Sequence, residues 1–152
     1  MVIRGAKYVH TNVIARDWRR LVDFYVTVLG CVPRPPERDL SGAWVDALTG
    51  LEGARIRGMH LVLPGFGPDG PTLEVFQYDE NLPNPHKGIN VESFGHLAFA
   101  VDDVEATLAA VVAHGGSALG QVVRNPVAGV GTLHVVYARD PEGNILELQR
   151  WN

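Results

Sequence analysis

Two histidines and two glutamates are the residues of this sequence with the types and placement to perform chemistry: His10, Glu74, His96 and Glu147. Each lies in a short segment rich in apolar residues, where a carboxylate is costly to bury unless it is paired or bound to a metal. Imidazole nitrogens and carboxylate oxygens bind Zn, Ni, Co, Mn or Fe and leave coordination positions for water or substrate. The four residues therefore predict one divalent metal ion at a reactive site.

An internal repeat relates these residues to one another. Asp17 and Asp103 each follow one of the two histidines by seven residues, and Gly30 and Gly116 follow the same histidines by twenty. Each half of the chain then closes with an apolar strand that carries one of the two glutamates. Because the repeat places one histidine and one glutamate at equivalent positions of each half, the four residues require a shared explanation.

One amphipathic helix is predicted in each half. The first follows Asp17, whose carboxylate can cap its free amides, and ends at Gly30. The second begins where Asp102 and Glu105 have the spacing of a capping box. Each helix has one apolar stripe, which needs a sheet to cover it. The stripes consist of Trp18, Leu21, Val22, Tyr25, Val28 and Leu29 in the first helix, and Val104, Leu108, Val111 and Val112 in the second.

Segments of alternating polarity predict the strands that complete the fold. They lie at residues 8–13, 57–63, 72–75, 95–101, 118–124, 132–138 and 145–148. The order predicts an α+β fold, with β-α-β-β-β occurring twice. The first module spans residues 5–80, the second spans 93–151, and a proline-rich connector spans 81–92. In this register the four site residues face away from the side of each sheet that the helices cover.

Each site residue also has an ordinary structural interpretation. A glutamate of the set could pair with an arginine such as Arg150, and either histidine could be a hydrogen-bonded core residue. His60 and His134 lie in predicted strands and could line the same cavity or face solvent. His86 in the connector and His114 at a helix C-terminus are not expected to be ligands.

Composition limits the other function classes. The formal charge is −4 and the pI is about 5.8, which argues against a nucleic-acid partner because phosphate contacts need a basic patch. No stretch reaches the roughly 18 to 20 apolar residues that span a bilayer, and no apolar signal segment is present. We therefore expect a cytoplasmic protein without a membrane partner. The lone Cys31 is expected to be a buried thiol without a catalytic role.

The motifs around these residues resemble one known group of proteins, the glyoxalase/bleomycin-resistance/dioxygenase superfamily, also called the vicinal oxygen chelate superfamily. The resemblance covers nearly the whole chain. It is carried by five motifs: His10-Thr11 through Asp17 to Phe24-Tyr25 and Leu29-Gly30; Leu73-Glu74-Val75-Phe76-Gln77-Tyr78; Gly95-His96-Leu97-Ala98-Phe99-Ala100-Val101-Asp102-Asp103; Asp140-Pro141-Glu142-Gly143-Asn144; and Leu146-Glu147-Leu148.

The resemblance implies a fold and an activity. The two modules would form a split barrel around a metal cleft, commonly in a homodimer, and His10, Glu74, His96 and Glu147 would occupy the ligand positions. This His/Glu/His/Glu set is similar to bacterial glyoxalase I, and methylmalonyl-CoA epimerase is a second similar member. The implied function is a metal-dependent lyase or isomerase that transfers a proton next to a carbonyl of a small molecule, through a metal-stabilised enediolate or enolate.

Roles within the site follow from the same resemblance. Glu147 is the first candidate for the catalytic base and Glu74 the second. Asn12, Phe76 and Tyr137 share the strand faces of the site and are expected to shape the substrate pocket. The site could lie within one chain or across a domain-swapped dimer, because the connector permits either by length.

Other functions remain open for this fold. The chain could be a metal-dependent dioxygenase or a thiol-transferase resistance enzyme, or a metal-free protein that binds a small molecule. Glutathione is not indicated as the substrate, because Asn144 stands where glyoxalases often have an aromatic residue. Basic residues for the glutathione carboxylates are also not evident in the sequence.

Overall fold

A computed structural model describes residues 5–85 and 88–152 of the chain. The chain divides into two compact units, Met1–Leu82 and Pro83–Asn152, each built on one β-sheet. Both units contain the β-α-β-β-β order of elements, with one further helix in the first unit and one further strand in the second. The predicted α+β class with two related sheets is therefore confirmed, whereas the closure of the sheets into a split barrel stays a prediction.

The first unit contains four strands and two helices. The elements in chain order are β1 (His10–Ile14), α1 (Trp18–Leu29), β2 (Val32–Ser41), α2 (Ala43–Thr49), β3 (Arg55–Val62) and β4 (Thr72–Tyr78). The sheet has the order β1-β4-β3-β2, in which β1 runs parallel to β4 and the other neighbours are antiparallel.

Helix α1 has the ends that its sequence predicts. The Asp17 carboxylate accepts a hydrogen bond from the Arg20 amide, and Gly30 ends the helix with a φ of 68°, in the left-handed region that glycine adopts without strain. The buried side of α1 packs against β3 and β4. The buried side chains are Trp18, Leu21, Val22, Phe24, Tyr25 and Leu29. The helix therefore covers one face of the sheet, and the opposite face is left for polar residues.

The second unit repeats this plan with one more strand. Its elements are β5 (Leu97–Ala100), α3 (Val104–Ala113), β6 (Ser117–Ala118), β7 (Val123–Val127), β8 (Gly131–Arg139) and β9 (Ile145–Trp151). The sheet has the order β5-β9-β8-β6, with β7 also paired to β8, and α3 packs against β8 and β9. The single strand predicted over 118–124 was therefore wrong, because two separate strands, β6 and β7, pair with β8 in its place.

Two elements of the first unit were missed by the sequence analysis. Strand β2 contains three prolines, which lack the amide proton of a regular strand and therefore obscure the strand pattern. The prolines are tolerated because β2 is an edge strand with a register shift between Arg34 and Arg38. Helix α2 was missed because it has seven residues and buries only Val45, too little for a periodic signal.

The start of α3 differs from the predicted capping box. Asp103, and not Asp102, is the N-cap, and its carboxylate accepts a 2.8 Å hydrogen bond from the Ala106 amide. The sequence placed Val112 on the apolar stripe of this helix, but its side chain is 51% exposed. The buried residues of α3 are Val104 and Val111. The strand predicted over 95–101 begins at Leu97, so the histidine of the second repeat directly precedes β5.

Two further expectations concern single features. Cys31 is buried, and burial raises the pKa of its thiol to about 11, as expected for a structural cysteine. None of the helices within residues 5–85 and 88–152 combines the length and apolar character needed to cross a bilayer. The expectation for His86 lies outside the described residues.

The α3 cap can be tested by substitution. We expect Asp103→Ala to lower the free energy of unfolding by about 1 kcal/mol, because it removes the acceptor for a helix N-terminal amide. Asp102→Ala is the matched control, with an expected effect of roughly a few tenths of a kcal/mol. Urea unfolding of both variants measures the difference, and a larger loss in Asp102→Ala would contradict the observed cap.

Candidate functional site

A row of polar side chains crosses the first sheet on the face opposite α1. The pairing register places Asn12 of β1 opposite Glu74 of β4, Glu74 opposite His60 of β3, and His60 opposite Arg34 of β2. Residues directly opposite one another in a sheet point to the same face. The alternate residues of β3 and β4, including fully buried Leu61, face the core beneath α1.

Glu74 is the centre of this row. One of its carboxylate oxygens, Oε2, lies 3.2 Å from His10 Nε2 and 3.3 Å from the Asn12 side-chain amide, which donates to it. The other oxygen, Oε1, lies 2.9 Å from His60 Nε2. The side chain of Glu74 is only 12% exposed. A carboxylate this buried is stable only because polar groups surround it. We call these four residues, His10, Asn12, His60 and Glu74, the Glu74 cluster.

The tautomer of His60 follows from its contacts. Burial lowers the pKa of His60, and the charges of Arg38, His10 and Arg34 act in the same direction against the raising effect of Glu74, so a neutral ring is favoured. The neutral ring carries one proton, which Nε2 donates to the glutamate. Nδ1 is then the acceptor for the Thr72 hydroxyl at 3.3 Å. His60 therefore orients the Glu74 carboxylate.

Phe76 forms a wall of the same face. Its ring lies 5.7 Å from the His60 ring in an edge-to-face arrangement, and it lies against Gly58 on the neighbouring strand. A Cβ atom at position 58 would come within 2.6 Å of the Phe76 ring and 2.1 Å of the Val75 carbonyl oxygen. Glycine at this position therefore allows the Phe76 ring to pack across the strand.

The second unit builds a smaller version of this arrangement around Glu147. The register places Glu147 of β9 between Ala98 of β5 and Tyr137 of β8. His96 Nε2 lies 3.3 Å from Glu147 Oε2, and the His96 and Tyr137 rings are 5.1 Å apart. The Tyr137 hydroxyl is hydrogen-bonded to Glu147. This hydrogen bond, together with burial, raises the pKa of the Tyr137 hydroxyl. We call His96, Tyr137 and Glu147 the Glu147 cluster.

The two clusters are equivalent by the repeat but differ in their contacts. Tyr137 occupies the place of His60, and Ala98 occupies the place of Asn12. Within residues 5–85 and 88–152, Glu74 therefore contacts three polar side chains, His10, Asn12 and His60, whereas Glu147 contacts His96 and Tyr137. The carboxylate of Glu147 is consequently less constrained than that of Glu74.

Each unit thus brings together the histidine and glutamate that the sequence singled out. Asn12 and Tyr137 also lie in these clusters, and Phe76 lies beside the Glu74 cluster. Arg150 does not pair with a site glutamate, as the alternative interpretation suggested. Its guanidinium donates a hydrogen bond to the Asp102 carbonyl. The union of both pairs on one metal ion stays a prediction.

The remaining histidines separate into different environments. His60 belongs to the Glu74 cluster. The alternation of strand residues left open whether His60 lines the site or faces solvent, because its position opposite Glu74 depends on a strand register that the sequence did not determine. His134 is buried in a separate contact with Glu105 of α3, 3.1 Å away. His114 hydrogen-bonds the Ala110 carbonyl at the end of α3, which is consistent with a structural role.

The donor atoms of the two pairs fit a divalent transition metal. Two ligands bonded to one ion at about 2.1 Å lie about 3.0 to 3.4 Å apart in octahedral or tetrahedral geometry. The His10–Glu74 and His96–Glu147 distances of 3.2 and 3.3 Å fall in this range. Within residues 5–85 and 88–152, no group of three or more histidine, cysteine or acidic side chains is assembled to hold an ion. Each unit therefore brings one imidazole nitrogen and one carboxylate oxygen to the spacing that two ligands of one ion would have.

The chain belongs to the Glyoxalase/Bleomycin resistance protein/Dioxygenase superfamily, whose sequence profile matches residues 7–148. The match confirms the resemblance seen in the motifs. It covers both histidine–glutamate pairs and all strands except the last three residues of β9.

Two relatives carry the name probable lactoylglutathione lyase. The protein from Vibrio cholerae is 27% identical over 144 residues, which are 93% of this chain and 88% of that protein. The protein from Vibrio parahaemolyticus is 43% identical over 56 residues, which are 37% of this chain and 38% of that protein.

Solved structures share the fold at low sequence identity. A glyoxalase family protein from Bacillus cereus has a TM-score of 0.81 at 16% identity, covering 97% of both chains. A glyoxalase I mutant from Zea mays has a TM-score of 0.59 at 23% identity, covering 96% of this chain and 45% of that chain. These likenesses support the superfamily fold.

The packing of Phe76 over Gly58 can be tested by adding one methyl group. We expect Gly58→Ala to lower the free energy of unfolding by about 1 to 3 kcal/mol, because the methyl group collides with backbone and ring. Gly67→Ala is the control, since a Cβ there meets nothing within 4 Å. Equal urea midpoints for the two variants would contradict the described contact.

Proposed function

We propose that this protein is a metal-dependent lyase or isomerase that transfers a proton next to a carbonyl group of a small molecule. The observation that carries the proposal is the pair of histidine–glutamate contacts at equivalent positions of the repeat. Both have a nitrogen–oxygen distance suited to two ligands of one ion. The name of the two relatives supports a lyase.

In this proposal His10, Glu74, His96 and Glu147 together hold one divalent ion, with Zn, Ni, Co, Mn and Fe as the candidates. The ion supplies Lewis acidity to the substrate oxygens and stabilises the negative charge that develops when the neighbouring carbon loses its proton. The split barrel, the homodimer and the cytoplasmic location belong to the same proposal.

The contacts of the two glutamates suggest different roles. Glu74 is held by His10, Asn12 and His60, and this fixes its carboxylate. Glu147 has fewer partners, so its carboxylate can change position at lower cost. We therefore assign Glu147 as the base that takes the proton from carbon and returns it, with Glu74 as the second candidate.

Three neighbouring residues would shape the substrate pocket. Phe76 supplies an apolar wall beside the Glu74 cluster. Tyr137 holds the Glu147 carboxylate through its hydroxyl and so influences the orientation of the base. Asn12 holds the other carboxylate through its amide. Only Phe76 and Tyr137 offer ring surface to a substrate carbon skeleton.

Metal retention tests the ligand assignment. We expect His10→Ala and His96→Ala each to weaken metal binding by about tenfold or more, because each removes one of four ligands. His114→Ala is the control, since that side chain hydrogen-bonds the Ala110 carbonyl at the end of its own helix. Elemental analysis of each protein after dialysis measures the effect, and wild-type metal content in both site variants would mean that the ion binds elsewhere.

Activity tests the assignment of the base. The substrates are the hemithioacetal of methylglyoxal with glutathione and an acyl-CoA epimer, assayed for solvent deuterium incorporated next to the carbonyl. We expect Glu147→Gln to lower kcat by about 100-fold or more while the circular dichroism spectrum is unchanged. Glu74→Gln serves as the matched control, with an expected loss in metal content larger than its loss in kcat per bound metal.

The same assays separate the alternatives. Equal kcat in Glu147→Gln and the wild type would rule out this base. Turnover that requires Fe(II) and oxygen would favour a dioxygenase, and a stable thiol adduct of the substrate, formed without deuterium next to a carbonyl, would favour a thiol transferase.

A further inference from the structure

A cavity of about 330 Å³ lies in the first unit beside the Glu74 cluster. Lys7 comes from the segment before β1, Arg34 and Arg38 come from β2, and Asp69 comes from the loop before β4. The lining residues used below are Lys7, Arg34, Arg38, His60, Asp69 and Thr72. We call this space the cationic cavity, because three cationic side chains line it against a single carboxylate.

The charge of the cavity contrasts with that of the chain, which is acidic overall at −4. Other arginines of the same sheet are neutralised, as Arg55 is by two hydrogen bonds to Asp39. Within residues 5–85, neither Arg34 nor Lys7 contacts a carboxylate, and Arg38 donates to the Pro36 carbonyl. The cavity therefore gathers positive charge that no acidic side chain of the described first unit offsets by direct contact.

The cavity adjoins the proposed site through one imidazole. His60 lines the cavity, and its Nε2 lies 2.9 Å from Glu74 Oε1. Thr72, on the same wall, is opposite His10 in the register of β1 and β4. A ligand in the cavity would therefore be separated from Glu74 by a single ring and would lie next to the His10 strand.

We propose that the cationic cavity binds an oxyanion, a carboxylate or phosphate, through Arg34, Arg38 and Lys7, and that the substrate carries this group apart from its reacting carbonyl. The substrate assignment rests on the proposed function, whereas the anion site itself does not. Guanidinium groups suit both oxyanions because they present two N–H donors in a plane. His60 lies between the cavity and Glu74, so it acts as a wall of the cavity and as a spacer.

The size of the cavity agrees with one end of a small molecule. Ligand pockets in proteins commonly measure about 300 to 1,000 Å³ in volume. At 330 Å³, the cationic cavity is at the small end of that range. It can hold a carboxylate or phosphate with a few carbon atoms, and the reacting carbonyl would extend past His60 toward Glu74.

The test is titration of the 15N-labelled full chain with inorganic phosphate, acetate and the neutral analogue acetamide at low ionic strength. We expect phosphate or acetate to shift the backbone amide signals of Arg34, Arg38 and His60 saturably, and acetamide to leave them unchanged. The stronger of the two anions identifies the group that the substrate carries. Shifts that do not saturate, or that are equal with acetamide, would overturn the proposal.

The Kd values of arginine variants show whether the anion binds in the cationic cavity. We expect Arg34→Gln and Arg38→Gln each to raise the phosphate or acetate Kd about tenfold, and Arg34→Lys to restore part of the affinity. Arg20→Gln, on the exposed side of α1, removes the same charge and should leave Kd unchanged.

The variants also separate this proposal from the proposed function. An anion bound to the proposed metal would keep its affinity in Arg34→Gln and Arg38→Gln, and that result would overturn the cavity assignment while leaving the metal site intact. Conversely, loss of affinity in these variants supports the cavity even if Glu147→Gln keeps full activity.

Discussion

The structure depends on how each sheet accommodates a carboxylate near its core. Glu74 is almost buried, and the free-energy cost of removing its charge from water must be offset by nearby polar groups. Imidazole and amide side chains offset it from both neighbouring strands. A helix covers the opposite face with apolar residues, so the polar cluster and the hydrophobic core share one sheet without mixing. The second unit meets the same constraint around Glu147 with fewer groups.

The repeat explains why the pairs are alike, and its differences explain how they could act differently. A duplicated unit supplies a histidine and a glutamate at equivalent positions of each half, and the duplication therefore accounts for two matched pairs of candidate ligands. Replacement of His60 by Tyr137, and of Asn12 by Ala98, leaves one glutamate more constrained than the other. This difference is the basis for the proposed roles, in which Glu74 is the fixed carboxylate and Glu147 is the one that moves a proton.

The sequence predicted the parts of this structure that have strong periodic or capping signals. Helix α1, its Asp17 cap and Gly30 end, and the α+β class were evident from residue spacing, and the repeat singled out the histidine and the glutamate that meet in each unit. Strand β2 was not predicted, because its three prolines interrupt the residue pattern that identifies a strand. His60 and the cationic cavity were not evident either, since residues 7, 34, 38 and 60 are brought together by the pairing of β1, β2, β3 and β4. Cross-strand register depends on tertiary pairing that spacing alone does not determine.

X-ray absorption spectroscopy of the Co(II)-loaded protein tests the central claim most directly, because it reports the atoms bound to the ion. The account predicts nitrogen and oxygen scatterers only, with the outer-shell signal of two imidazole rings. A sulfur scatterer, or the signal of fewer than two imidazoles, would contradict it.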